Sequence, residues 1–444
     1  MMPTSSEHCL PIFQMAEWST IDLPNNIEFS KEDQSLLRNL RLDDNWKIII
    51  DELKAGIRLQ CRSWVGVIRF RNFEVRIVPK LPGSVENIIR MLAYSLELKN
   101  IRFLNSRHDL THESRSLLEI VILMLVEECE KLVRKGLIKD YVEHEDALPY
   151  LRGRLLIDKQ FLSGFGRLDY LECCYDERTA DIDENRLIYI ALSIATRHLS
   201  VSDLLIKTRR LQSLFGEICN ISGVDLRTLR NSISYDRRNA HYREAHRLSN
   251  LLLDSLGISD MYDGTSSCYA FLFDMNRLFE VFVGKWLARV VAGSSYKLEE
   301  QRRFRAVIWD ADIGGSYSTV IPDFLLTELE TGNTYLVADA KYKLYDERRL
   351  GGGDIYQAFT YAYALTDDNG KNPPRALIIF PSSAKNGSSV KNLCIRKTSG
   401  IPGAEVKALG VSIQHMLEYL DIGFCLTTPA WKDLKLHDIF KISS

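Results

Sequence analysis

The stretch VIPDFLLTELETGNTYLVADAKYKL (Val320–Leu344) decides how the rest of this chain is read. Two apolar, strand-like runs flank the turn-forming triplet Thr331-Gly332-Asn333. Asp323 interrupts the first run, and Asp339 and Lys341 interrupt the second. A carboxylate inside a buried run is costly unless a counter-charge or a metal ion meets it. A three-residue loop sets Glu330 opposite Thr334, Asp323 opposite Lys341 and Asp339 opposite Leu325. Side chains alternate along a strand, so Asp323, Asp339 and Lys341 share one face, while Leu336, Ala338, Ala340 and Tyr342 turn toward a core. A loop of two residues would slip the register by one and separate Asp323 from the other two.

Two acids and a lysine on one hairpin face point to a divalent-metal site that cuts phosphodiesters. Hard cations such as magnesium, or manganese in its place, take carboxylate and carbonyl oxygens. Asp323 and Asp339 are the candidate ligands, with the Ala340 carbonyl as a third. Such an ion would activate water and offset charge on the scissile phosphate. Lys341 would orient that water and stabilise the developing negative charge. The bland alternative is an exposed hairpin with solvated charges, since acid-x-Lys triplets recur at Glu52-Leu53-Lys54, Glu97-Leu98-Lys99 and Glu405-Val406-Lys407. The apolar flanks argue against it.

The neighbouring segments extend the site. Upstream, FLFDMNRLFEVFVGKWLARVV (Phe271–Val291) has the periodicity of one helix, with Leu272, Met275, Phe279, Phe282, Val283 and Trp286 as its apolar stripe. Glu280 lies beside that stripe as a candidate third carboxylate and metal ligand; its plain alternative is a surface pair with Arg277 or Lys285. Downstream, Gly351-Gly352-Gly353 reads as a flexible turn and DIYQAFTYAYAL (Asp354–Leu365) as a helix. Gln357 and Tyr361, four apart, share a face from which they would contact the lysine or a phosphate, unless they only pack the helix. Arg302, Arg303 and Arg305 before the strands, and Lys343 after Lys341, are the candidate DNA contacts.

Pro322-Asp323, then Asp339-Ala340-Lys341, with Glu280 before and Gln357 and Tyr361 after, resembles the PD-(D/E)xK nuclease superfamily. The wider sequence resembles its McrC family, through MNRLFEVFV (Met275–Val283), VADAKYK (Val337–Lys343) and IYQAFTYAYAL (Ile355–Leu365). LRGRLLIDKQ (Leu151–Gln160), YDERTADIDENRLIYIAL (Tyr175–Leu192) and VGVIRFRNFEVRIVPKLP (Val65–Pro82) match in the same order. The resemblance implies the endonuclease subunit of a modification-dependent restriction system, dependent on magnesium and acting on double-stranded, methylated DNA. It implies a partner, an McrB-like AAA+ GTPase or ATPase ring that the N-terminal region enters and stimulates, and an McrC dimer formed through the assembly. Met1–Pro24 matches nothing in that family.

The remaining composition frames the same reading. A chain of 444 residues, 45% hydrophobic, accommodates two or three domains. The expected class is α/β: an N-terminal α+β domain (1–84) that binds the AAA+ partner, a mostly helical connecting domain (85–264), and a C-terminal PD-(D/E)xK endonuclease core (265–444) with a mixed sheet flanked by helices. Helices are expected at Ser30–Leu40 and Asn45–Lys54, a short β element at Tyr150–Tyr175, and further strands at Arg375–Phe380 and Ala408–Gln414. A break is expected at Pro82-Gly83. The net charge of −2 lacks the basic excess of a protein that grips DNA alone. It suits a nuclease whose DNA is delivered by a partner, and equally a protein that never meets DNA. Nine cysteines without a C-x-x-C suggest reduced thiols in the cytoplasm. No signal peptide is visible, and the apolar run Leu117–Val126 reads as a buried helix too short for a bilayer. His241 and His246 read as surface groups. No Gly-Lys-Ser/Thr phosphate loop is present, so nucleotide hydrolysis belongs to a partner. Two other functions compete: a non-catalytic adaptor of an AAA+ motor, and a stand-alone repair or junction nuclease.

Overall fold

The computed structural model describes residues 10–421 apart from 25–26, 28, 41–46, 54–55, 81–84, 99–115, 164–168, 200–201, 257–267, 347–348, 367–373, 383–387 and 400–401. The break expected at Pro82-Gly83 lies outside these residues.

The chain begins with β1 (Ile12–Ala16), β2 (Thr20–Leu23), α1 (Lys31–Asn39), β3 (Ile48–Leu53), β4 (Gly56–Cys61), β5 (Trp64–Arg69) and β6 (Glu74–Val78). A capping box starts α1, where the Ser30 hydroxyl accepts from Asp33 N–H and the Asp33 carboxylate accepts from Ser30 N–H. The helix expected over Asn45–Lys54 is instead β3, antiparallel to β4. Three consecutive isoleucines favour a strand over a helix, because β-branched side chains are restricted at χ1.

A helical region follows: α2 (Val85–Ser95), α3 (Leu117–Lys135), then β7 (Asp140–Leu148), β8 (Arg154–Leu155), α4 (Ile157–Ser163), β9 (Leu171–Thr179), α5 (Asp183–His198), α6 (Asp203–Gly216), α7 (Leu226–Ser232) and α8 (Arg243–Leu256). Strands β7, β9 and β8 form a small antiparallel sheet, longer than the β element expected there. Helices α3, α5, α6 and α8 pack together around Leu125, Ile188, Leu192 and Leu252, all fully buried. The Asn-Arg element of α5 has a structural task. Buried Asn185 donates to the carbonyls of Ile138 and Ala180, and accepts from Tyr242 Oη. His246 is not a surface group: it is fully buried on α8, between Tyr235 Oη and the Glu184 carbonyl. Burial pushes its pKa down to about 4, which keeps the ring neutral. Its helical spacing places it inward, although its basic neighbours suggest otherwise.

The last part runs β10 (Tyr269–Asp274), α9 (Met275–Val291), β11 (Tyr296–Glu300), β12 (Phe304–Asp310), β13 (Gly315–Val320), β14 (Phe324–Glu328), β15 (Thr334–Ala340), α10 (Gly352–Leu365), β16 (Arg375–Pro381), β17 (Ser388–Arg396), β18 (Pro402–Val411) and α11 (Ile413–Asp421). Six strands form one mixed sheet in the order β11-β14-β15-β16-β18-β17, with β15, β16 and β18 parallel. Strands β12 and β13 form a separate hairpin. The expected turn at Gly351-Gly352-Gly353 is the start of α10, and the strand expected over Ala408–Gln414 is β18, which ends at Val411 and leaves Gln414 on α11.

The helix expected from Phe271 begins only at Met275, because Tyr269–Asp274 is a strand. That strand, β10, completes the N-terminal sheet, β1-β6-β5-β10, by pairing antiparallel with β5. Gly66 permits the pairing: a Cβ there would sit 2.0 Å from the Phe271 carbonyl oxygen. A strand that opens the expected nuclease unit is thus part of the first sheet. The main hydrophobic core is also continuous, from α3 and α5 through α9 to β15 and β16.

Candidate functional site

The hairpin β14–β15 forms with a register that differs from the expected one by two residues. Phe324 pairs with Ala338 and Leu325 with Val337, and a bulge near the turn absorbs Tyr335. Before the bulge, a shift of two leaves the side chains on their expected faces, so Asp323 is set toward Asp339 instead of opposite Lys341. Asp323 itself precedes β14, behind buried Pro322. Its backbone carbonyl accepts from Gln301 N–H (2.9 Å), and its carboxylate Oδ2 accepts from Ala340 N–H (2.8 Å). The carboxylate thereby takes over the hydrogen bond that the β14 backbone no longer offers beyond Phe324. On the far side of β15, Lys341 N–H donates to the Ile379 carbonyl at 2.8 Å, extending the parallel ladder to the lysine.

Asp339 is 5% exposed, and the Lys341 ammonium lies 2.7 Å from its Oδ2. Burial, and next to it the Asp339 charge, push the Asp323 carboxyl far above the ordinary carboxylate range, to about 8. The Ala340 N–H and Lys341 oppose that rise without cancelling it, and Glu280 adds to it. Burial works to lower the Lys341 pKa, but Asp339 and then Asp323 outweigh it and hold the ammonium above its usual value. One lysine therefore faces two aspartates: it pairs with Asp339, and Asp323 is left without a counter-charge for its ionised form. Hard oxygen donors with a charge deficit fit a small divalent cation. Asp323 and Asp339 would hold it, with the Ala340 carbonyl on the same strand.

Glu280 lies on α9, whose face passes close to the hairpin because Gly284, one turn on, leaves room for Phe324: a Cβ there would lie 3.0 Å from that ring. The Glu280 carboxylate accepts from the Gln301 side-chain amide, rather than pairing with Arg277 or Lys285. It does not close on one point with the two aspartates. Among the described residues, the one trio of His, Cys, Asp or Glu whose ligand atoms all lie within 4.8 Å is Glu143, Glu145 and Cys174, on the small β7–β9 sheet. The Gln357 side-chain amide donates to Tyr361 Oη (2.9 Å), and Tyr361 packs against Val320, Leu325 and Val337. The two share a helix face, as expected, and are bonded to each other.

Of the candidate DNA contacts, Lys343 pairs with Asp354 at the start of α10 (2.8 Å), an acid that also accepts from Tyr345 Oη. Arg302 pairs with Glu299 (3.1 Å), while Arg303 and Arg305 are exposed at the base of the β12–β13 hairpin. Gln301 is a neighbour of the candidate site that sequence reasoning misses. It adopts a left-handed backbone (φ 47°), and holds both Asp323 through its N–H and Glu280 through its amide. A lone glutamine before three arginines carries no signal of that role.

The fold is mixed α/β, and it sets a buried, lysine-paired aspartate beside a second aspartate at the end of one sheet hairpin. The chain belongs to the family of McrBC 5-methylcytosine restriction system components, which it matches over residues 59–381, and it is an McrC-type subunit. The type IV methyl-directed restriction enzyme EcoKMcrBC of Escherichia coli (strain K12) is 24% identical over 315 residues, 68% of this chain and 86% of that protein. In fold, the chain matches a structure described as a half-complex from a tetradecameric assembly of Thermococcus gammatolerans McrB AAA+ hexamers with bound McrC. The TM-score is 0.60 at 20% identity, covering 97% of this chain and 100% of the other.

Proposed function

We propose that this chain is the nuclease subunit of an McrBC-type restriction system and hydrolyses DNA phosphodiesters with a divalent metal ion, magnesium or manganese. The carrying observation is the strained charge balance at the hairpin: buried Asp339 paired with Lys341, and Asp323 forced upward beside them. A structural ion pair needs no second buried carboxylate, and an adaptor needs none of the three.

On this reading Asp323 and Asp339 hold the ion, which supplies positive charge at the scissile phosphate. Lys341 pairs with Asp339, and with an ion held there its ammonium would be available to the phosphate oxygen that gains charge. Glu280, braced by Gln301, stands behind as a further carboxylate. Gln357 and Tyr361 support the face from α10. Arg303 and Arg305 meet the DNA backbone first, with Arg302 and Lys343 joining at the cost of their present ion pairs.

The partner would be an McrB-like AAA+ ring, a GTPase or ATPase; in the Thermococcus neighbour, McrC is bound to McrB AAA+ hexamers. The family resemblance assigns its docking to residues 1–84. The described surface favours another place: the small sheet and α4 expose Tyr141, Tyr150, Leu151, Phe161 and Leu162, the last 88% exposed. Large apolar side chains left this exposed on one small unit suit an interaction surface. Phe161→Asp with Leu162→Asp should release the partner in co-purification; undiminished binding would return the docking site to the N-terminal unit.

The test of the function is cleavage of methylated and unmethylated DNA by the full chain with its motor partner, magnesium, and GTP or ATP. Magnesium-dependent cutting that Asp339→Ala removes supports the nuclease. Partner binding without any cutting would support the adaptor, and cutting without the partner would support a stand-alone nuclease.

A further inference from the structure

Tyr342 directly follows Lys341 and is 5% exposed. Its ring stands 5.9 Å from that of Phe279, the residue before Glu280 on α9. Its Oη donates to Glu17 Oε1 at 2.6 Å, across 325 residues of sequence. Glu17 closes β1 and is 1% exposed, an extreme burial for a carboxylate. The same Oε1 accepts from Lys80 N–H (2.8 Å), just past β6, and Glu17 N–H donates to the Val78 carbonyl (2.9 Å).

Two features set this contact apart from ordinary packing. Glu17 Oε2 is buried without a hydrogen-bond partner, so the carboxylate is kept although half of it goes unsatisfied. Burial raises its pKa, and the Tyr342 and Lys80 hydrogen bonds only partly counter that. The turn is also strained. Trp18 takes a left-handed backbone (φ 55°), with its indole half exposed. Chain conformation and solvation are both compromised where residue 17 turns inward, and the partner it reaches is attached to the strand end that bears the lysine.

We infer that Glu17 is a positioning residue: its hydrogen bond to Tyr342 anchors the strand end that carries Lys341 to the N-terminal sheet, and so sets where the ammonium stands. This rests on the nuclease reading of Asp323, Asp339 and Lys341. Tyr342 is held from one side by Glu17 and from the other by α9, so a shift of the N-terminal sheet moves Lys341 with it.

The test uses the full chain assembled with its motor partner, measuring kcat and KM for DNA cleavage across a magnesium series, with thermal unfolding of each variant. Tyr342→Phe removes one oxygen, and Glu17→Leu removes the acceptor. Both should lower kcat by about 10–100-fold, as outer supports of a metal site do, with KM for DNA little changed. Glu17→Gln keeps an oxygen that accepts both hydrogen bonds and should stay within a few-fold of wild type. A merely structural contact would lower the unfolding midpoint and leave kcat per folded molecule unchanged. A folded Tyr342→Phe protein with wild-type kcat overturns the inference, and decides it even if Glu17→Leu does not fold. Wild-type protein that does not cut, or Asp339→Ala that cuts normally, overturns the nuclease reading and the inference with it.

Discussion

Two places among the described residues gather acids beside a lysine on a sheet face, and they behave differently. At the β14–β15 hairpin, Asp339 is buried against Lys341 and Asp323 is forced far above its ordinary pKa. On the β7–β9 sheet, Glu143 and Glu145 are exposed beside buried Cys174, and the Lys159 ammonium pairs with Glu145 at the surface. The ligand types are alike, and the second cluster is even the more compact. In the second, water solvates each charge, so a cation gains little by entering. In the first, removal from water leaves a charge deficit that a cation would relieve. Burial, rather than the count of acids, separates a candidate catalytic site from a surface cluster.

The largest expected contrast is catalytic. Asp339→Ala should reduce magnesium-dependent cleavage below detection, and Lys341→Ala should lower it by about 10²–10³-fold, with partner binding retained. Full activity of either purified variant would erase the distinction between the two clusters.

The next contrast concerns protons. The folded, metal-free chain keeps a proton on Asp323 that the unfolded chain loses above the ordinary aspartate value of 3.8. Its contribution to stability is therefore present at low pH and lost as pH rises through about 8. A cation needs the deprotonated carboxylate, so magnesium affinity should rise by up to about tenfold per pH unit below that value. Calorimetry from about pH 6 to 8 should show this slope in the wild type and not in Asp323→Asn. A flat wild-type profile would mean that Asp323 is already ionised over this range and that its pKa is not raised.

Smaller effects complete the series. Arg303→Ala with Arg305→Ala should weaken DNA binding without regard to sequence and reduce the salt slope by about one for each arginine removed. An unchanged slope would move the DNA track away from the β12–β13 hairpin. Glu145→Ala should change neither magnesium affinity nor cleavage; a loss of either would make the exposed cluster the functional one.

How much of this is legible in the sequence depends on the range of the interaction. The face shared by Asp323, Asp339 and Lys341 follows from alternation, and survives a difference of two residues in register because two is a full strand period. Helix α10 and strand β16 carry their own local patterns. What sequence reasoning misses depends on distant partners. FLFD at the start of the expected α9 continues the helical stripe, yet it pairs with β5, some two hundred residues earlier by the observed register. Gln301 and Glu17 act through backbone conformation and long-range contact, and neither residue type announces that. His246 is misplaced when its charged neighbours are weighed above its position on the apolar stripe of α8.

Strand β10 also sets an order in time. The sheet that contains β1, β6 and β5 lacks its fourth strand until Tyr269–Asp274 has been made. At roughly 5–20 residues per second, the growing chain waits on the order of 10–40 s between completing Val78 and supplying that strand. During this interval the β5 edge, with buried Val65, Val67 and Ile68, has no neighbour and invites pairing with another chain. A fragment that ends before residue 269 carries the same open edge permanently. An isolated N-terminal unit should therefore associate through β5, and supplying Tyr269–Asp274 as a tethered strand should make it monomeric.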